Sequence, residues 1–249
     1  MPDNKNTSST DAPPEAEGTQ NETDFSRAPS VESWFVDKAG KLWVADAEGE
    51  LRYTVTSTAP WIACDLVDVD TGDVRALVKV TTPRGVRERA VDRDVLLNQN
   101  RVIGALAPLG ANVTSTNAKD VIRYLTDCER RFDRARPSAR SVTHLGWADG
   151  PLGAFMPYDA EGDVRFDPAP DEAVKARPFM ELRGTLDEWV AGMAPVRAGS
   201  MAFHAVLAAS FASPLVAVLG VQTFIVYLRG RSRSGKTPTL KASGSVWGD

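Results

Sequence analysis

The run Gln222-Thr-Phe-Ile-Val-Tyr-Leu-Arg-Gly-Arg-Ser-Arg-Ser-Gly-Lys-Thr237 constrains the fold more than any other part of the 249-residue chain. Phe224, Ile225, Val226, Tyr227 and Leu228 form an unbroken apolar stretch of β-formers, the pattern of a strand buried in a parallel sheet. Gly230, Gly235, Lys236 and Thr237 then fit G-x-x-x-x-G-K-[ST], the phosphate-loop (Walker A) pattern. A strand that passes through such a loop into a helix belongs to an α/β layered sheet.

The pattern has a chemical reason. A triphosphate presents closely spaced anionic oxygens. Successive backbone N–H groups can surround them where Gly lets the chain curl without a side chain in the way. The helix that follows adds free N–H donors and a partial positive charge. Lys236 would reach the β- and γ-phosphates and is the candidate catalytic residue, and the Thr237 hydroxyl would hold Mg²⁺. Ser232 and Ser234 are small enough for the loop, so Gly230, Ser232, Ser234, Gly235, Lys236 and Thr237 form the expected ATP·Mg²⁺ site.

The segment Tyr227-Leu-Arg-Gly-Arg-Ser-Arg-Ser-Gly-Lys-Thr-Pro-Thr-Leu-Lys-Ala-Ser-Gly-Ser-Val-Trp-Gly248 resembles the DUF927 family, the predicted ATPase domain of Cch-like helicases carried by mobile genetic elements. Ser245-Val-Trp-Gly248 is characteristic of it. Gly146-Trp147, the Gly184-Thr-Leu-Asp-Glu-Trp189 segment and the apolar helix before the strand are also similar. The resemblance covers about residues 31–249. Pro238 departs from it, standing where the family usually has Thr; proline is tolerated in a helix's first turn. The resemblance implies ATP hydrolysis at subunit interfaces of a homo-oligomeric ring, driving translocation on DNA in a mobile-element replication system. An acidic Mg²⁺ motif, a water-positioning residue and an arginine finger are not recognisable. The sequence therefore reads as truncated after the loop and its first helix, without turnover alone. A non-catalytic module for DNA binding or assembly, carrying a remnant loop, is the alternative.

Residues 1–30 carry six acids against Lys5 and Arg27, which accounts for the whole net charge of −4. This Ser-, Thr- and Pro-rich leader has one aromatic, Phe25, and reads as disordered. It holds no apolar stretch of signal-peptide type, and Cys64 and Cys128 have no nearby partner suggesting metal or redox use. Both points agree with a cytoplasmic protein.

Residues 31–180 read as an α+β domain. Trp61–Asp70 and Asp73–Thr82 alternate as a hairpin around Thr71-Gly72, preceded by a pair at Leu42–Ala45 and Leu51–Val55. Helices are expected over Arg93–Leu106, with Leu96, Leu97 and Ile103 on one side, and over Asn117–Phe132, with Val121, Leu125, Cys128 and Phe132 inward. Short strands are expected at Ser141–Leu145, which includes His144, and at Gly153–Pro157 and Asp163–Phe166. Val67-Asp-Val-Asp70 imitates a Mg²⁺-binding motif but precedes the loop, and reads as solvent-facing hairpin acids. His144 and His204 have no ligand-spaced partners. Two arginine groups, Arg84, Arg87, Arg89 and Arg93 around a turn and Arg130–Arg140, give weak grounds for DNA contact; the second is interleaved with acids.

Residues 181–249 read as the start of a P-loop α/β NTPase domain of AAA+/helicase-like type. Thr185-Leu-Asp-Glu188 forms a capping box, with Leu186, Trp189, Val190 and Met193 on the apolar side. Met201–Leu219 is uncharged and long enough for a membrane span. Its Ala and Ser content, His204, Pro214 and Gly220 favour a buried helix before the strand, and no membrane association.

Overall fold

The computed structural model describes residues 24–158, 162–169, 172–176, 181 and 183–248. The leader up to residue 23 lies outside the described residues. Residues 24–30 do not continue it as a solvated tail. Phe25 packs edge-to-face on Phe132 at 5.7 Å. The Phe25 carbonyl accepts from Trp61 Nε1 at 3.0 Å, and the Pro29 carbonyl accepts from the buried Tyr124 hydroxyl at 2.8 Å. A segment with one aromatic orders when that ring and its carbonyls meet partners already in the core.

The chain divides into two compact units, one comprising residues up to 67 with 73–139 and the other 68–72 with 140–249. This partition differs from the boundary expected at residue 180. In the first unit, β1 (Trp34–Val36), β2 (Leu42–Ala45) and β3 (Leu51–Thr56) form an antiparallel sheet. β4 (Pro60–Asp68) pairs antiparallel with β5 (Val74–Thr82), as the alternation predicts, and β5 pairs with β6 (Gly85–Asp92). β6 was hidden by its charges, Arg87, Glu88 and Arg89, whose strand pairs with an apolar neighbour. The first arginine group is therefore divided: Arg84 lies in the turn, Arg87 and Arg89 lie on β6, and Arg93 begins the helix that follows and pairs with Asp65 and Glu129.

The helix expected over 93–106 is two. α1 (Arg93–Leu96) stops because the Asn98 side chain accepts from Asn100 N and Arg101 N and starts α2 (Gln99–Leu106). The break leaves Leu96 buried and Leu97 exposed. α3 (Ala118–Phe132) buries Val121, Tyr124, Leu125 and Cys128 against Trp61, Val78, Val80 and Leu106.

In the second unit, β7 (Ser138–Val142) runs parallel to β10 (Val164–Phe166), and β8 (Gly146–Ala148) pairs with β9 (Ala154–Met156). His144 lies just beyond β7, in a bend. The capping box forms as expected: Thr185 caps α4 (Leu186–Gly199), and its N–H donates to Glu188 Oε2 at 2.9 Å. Trp189 and Met193 are half-buried, whereas Leu186 and Val190 are exposed. Ser200 caps α5 (Met201–Ala212), and Pro214 separates it from α6 (Leu215–Val218). Breaking there, the uncharged run is no single helix, and none of the described helices is long and apolar enough to cross a membrane. α7 (Lys236–Gly244) closes the unit. Residues 221–230 form no strand and have no ladder partner among the described residues. The expected central strand is a bare extended segment with Ile225 91% and Tyr227 82% exposed. Its β-propensity is unmet because no neighbouring strand reaches it.

Candidate phosphate-binding loop

From Gly230 the chain turns through residues 231–235 and enters α7 at Lys236. The two pattern glycines do different things. Gly235 caps α7 in the left-handed region, at φ 81°, where a Cβ costs roughly 1–2 kcal/mol. At Gly230 a Cβ would stand 2.8 Å from Ser234 Oγ, so the hydroxyl occupies the space that glycine leaves. Arg233 is also left-handed, at φ 63°, although it carries a side chain.

Lys236 folds back over this turn. Its Nζ donates to the Gly230 carbonyl at 3.0 Å, the Arg231 carbonyl at 2.8 Å and Ser234 Oγ at 3.3 Å. An ammonium has three donors, so all are engaged by the loop itself. Gly230, Ser234, Gly235 and Lys236 are thereby brought together, while Ser232 and Thr237 stand exposed on the same turn.

The start of α7 is open to an anion. Its first N–H groups, those of Lys236 and Thr237, have no intrahelical acceptor by helix geometry, and no side chain caps them. Pro238 lacks an N–H, and the first helical bond runs from Thr239 N to the Gly235 carbonyl at 3.0 Å. The departure at Pro238 thus falls where it costs the helix nothing. Among the described residues, no group of three or more His, Cys, Asp or Glu side chains could hold a metal. Mg²⁺ typically keeps waters and phosphate oxygens around one or two protein ligands, and Thr237 Oγ1 is the ligand the pattern supplies.

Three tryptophans fix the elements around the loop, a role that residue patterns did not disclose. Trp247 Nε1 donates to Ser210 Oγ on α5 at 3.1 Å, and that hydroxyl donates to the Ser243 carbonyl on α7 at 2.7 Å. Trp189 Nε1 on α4 donates to Ser245 Oγ at 2.9 Å. Trp147 Nε1 on β8 donates to the Pro214 carbonyl at 2.7 Å. The rings of Phe155 and Tyr158 lie 5.9 and 6.5 Å from Trp247. The three segments singled out by resemblance thus act as brackets: those around Trp189 and Trp247 hold α4, α5 and α7 together, and that around Trp147 ties β8 to the turn between α5 and α6. The usable signal was that each carries a tryptophan, whose N–H needs an acceptor when buried.

The other candidates are structural. Asp68 is buried and accepts from Asp70 N at 3.0 Å and Thr71 N at 2.9 Å, tying the hairpin turn. Burial opposes its charge most, yet these N–H donors outweigh it and lower its pKa. Asp70 accepts from His144 Nε2 at 3.0 Å and from Asp149 N at 3.1 Å. His204 is exposed on α5. Burial pushes the Cys128 thiol up to about 12, the opposite of a nucleophile. In the second arginine group, Arg136 is buried against Asp65 at 3.0 Å, Arg130 pairs with Asp127 at 3.1 Å, and Arg140 pairs with Asp149 and Asp163.

The chain belongs to the family described as a domain of unknown function, DUF927, whose sequence profile matches residues 42–249. A comparison with curated proteins finds no match.

Proposed function

We propose that the chain binds ATP·Mg²⁺ through residues 230–237 and serves as the nucleotide-binding part of a helicase-like ATPase in a mobile-element replication system. One observation carries this reading: the phosphate-loop residues converge on a single turn, with Lys236 over the Gly230 and Arg231 carbonyls and uncapped N–H groups at the start of α7. Backbone donors, an ammonium and a helix N-terminus then face one anion. Phosphate oxygens would take over the Lys236 donors, and Thr237 Oγ1 would hold the Mg²⁺, which would offset the phosphate charge. Assembly into a ring and passage along DNA rest on the family resemblance, whereas a cytoplasmic setting rests on Cys64 and Cys128 forming no disulfide.

Hydrolysis needs more than this loop. Residues 189–248 contain no Asp or Glu to hold the metal's second side or to orient water. That observation favours a second reading, a non-catalytic DNA-binding or assembly module whose loop binds nucleotide without turnover.

The test is calorimetric titration of the chain with ATP·Mg²⁺. Lys236→Ala removes a charged donor worth about 1.5–3 kcal/mol, so affinity should fall roughly 10- to 100-fold. Equal affinity in both proteins refutes the site. Phosphate release from the unaltered chain, lost in Lys236→Ala, would exclude the non-catalytic reading.

A further inference from the structure

The stretch from residue 189 to 248 holds six cations, Arg197, Arg229, Arg231, Arg233, Lys236 and Lys241, and no carboxylate, in a chain with 33 acids. Elsewhere several arginines are drawn into ion pairs, Arg52 with Asp46, Arg93 with Asp65 and Glu129, Arg136 with Asp65, and Arg140 with Asp149 and Asp163, but those of the charged strand β6 are spaced among acids instead of clustered. Arg229, Arg231 and Arg233 are exposed and form no ion pair with any described residue. Two of them, Arg231 and Arg233, occupy variable positions inside the loop pattern.

Lys236 turns its three donors to Gly230, Arg231 and Ser234, from which phosphate oxygens would take them. The loop's other cations, Arg231 and Arg233, are exposed. The pattern's own parts bring backbone N–H groups and a single lysine to the phosphate chain. A third phosphate adds charge and oxygens, and a guanidinium presents a planar fork matched to them. We infer that Arg231 and Arg233 are specificity determinants of this loop, recognising the terminal phosphate of a linear chain and setting a preference for nucleoside triphosphate over diphosphate. A single-stranded nucleic acid fits the same charges less well. It calls for cations and stacking faces spread along a track, whereas these cations fall within five consecutive residues, 229–233.

The inference rests on the nucleotide-binding reading, and the experiment separates the two. The 249-residue chain, Arg231→Gln/Arg233→Gln, and the control Arg197→Gln on α4 are titrated with ATP, ADP, tripolyphosphate, pyrophosphate and oligothymidylate, each with Mg²⁺. All three altered side chains are exposed, and circular dichroism checks that each variant is folded. The unaltered chain should bind ATP over ADP, and tripolyphosphate over pyrophosphate, by about tenfold, the scale of one charge-assisted hydrogen bond. The double variant should bring both ratios close to one while ADP affinity changes less than about threefold. Arg197→Gln should change nothing. Unchanged ratios in the double variant overturn the inference and leave the nucleotide site standing. Loss of oligothymidylate binding with the ATP:ADP ratio intact overturns it in favour of nucleic acid. Failure of the unaltered chain to bind any nucleotide or phosphate chain overturns the underlying reading as well.

Discussion

Replacing Trp247 tests whether the end of α7 is held by its indole. The ring is half-buried, donates to Ser210 Oγ at 3.1 Å, and lies 5.9 and 6.5 Å from Phe155 and Tyr158. A fully buried Trp→Ala costs about 3–5 kcal/mol; because Trp247 is only partly buried, about 2–3 kcal/mol is expected. Trp247→Phe keeps an aromatic ring and loses the N–H donor, for about 1 kcal/mol. Ser210→Ala removes the acceptor and also the donor to the Ser243 carbonyl, and in combination with Trp247→Phe should show a coupling of about 0.5–1 kcal/mol, since both act on one hydrogen-bonded chain. Urea unfolding of the chain measures the stability. Hydrogen exchange of the Thr239–Gly244 amides in the native protein reads α7 directly, and should quicken in Trp247→Ala without change in α3. A loss below about 0.5 kcal/mol with unchanged exchange in α7 would show that the helix is held by something other than this bracket.

Three further outcomes follow from single sites. Cys128, with its thiol pushed to about 12 by burial, should resist a thiol reagent at pH 8 until urea unfolds the protein; native reactivity at the free-cysteine rate refutes its placement on the inner face of α3. His144 has both ring nitrogens on acceptors, the Leu145 carbonyl and Asp70, each at 3.0 Å; burial opposes its charge most, but those acceptors and Asp68 outweigh it and raise its pKa above 6.5. The stability it contributes is therefore complete below that value and lost as pH rises through the raised one, a slope of less than about 1 kcal/mol in total for so exposed a pair; His144→Gln should flatten it, and an unchanged pH profile counts against the pairing. Ile225→Lys with Tyr227→Lys should lower light scattering of concentrated protein, because charge on an unpaired extended segment blocks edge-to-edge association; scattering equal to that of the unaltered chain would clear this segment of blame.

Much of the first unit was readable because its elements obey simple periods. The β4–β5 hairpin alternates around a Gly turn, and α3 repeats its apolar residues at helical spacing. Its misreadings have local causes. Asn98 competes with the backbone for hydrogen bonds and splits a helix whose apolar period continues across it. β6 looks like a charged turn because its exposed side chains are polar and its stability comes from pairing with β5. In the second unit the loop was legible residue by residue, since glycine, lysine and hydroxyl positions follow from what a phosphate cradle requires. The tryptophan brackets were not, because each joins positions 37–67 residues apart and no short-range pattern encodes such pairs. The strand before the loop shows the opposite limit. Its composition announces a central strand, yet propensity alone creates no ladder.

The unpaired segment before the loop has a mechanical consequence for the loop it carries. A segment clamped on both sides by hydrogen-bonded neighbours behaves as a stiff beam, and a loop at its end keeps its position and orientation. The segment 221–230 has no such clamp among the described residues, so Gly230 is held only from within the loop, its carbonyl accepting from Lys236 Nζ, while Lys236 is anchored through α7. The two ends of the cradle therefore differ in compliance. Any strand laid alongside 222–228 would stiffen the soft end, and under the proposed nucleotide binding the entropy otherwise lost when a phosphate chain fixes it would already have been removed. Lateral pairing and the proposed binding would for that reason be linked quantities, each strengthening the other by the same factor.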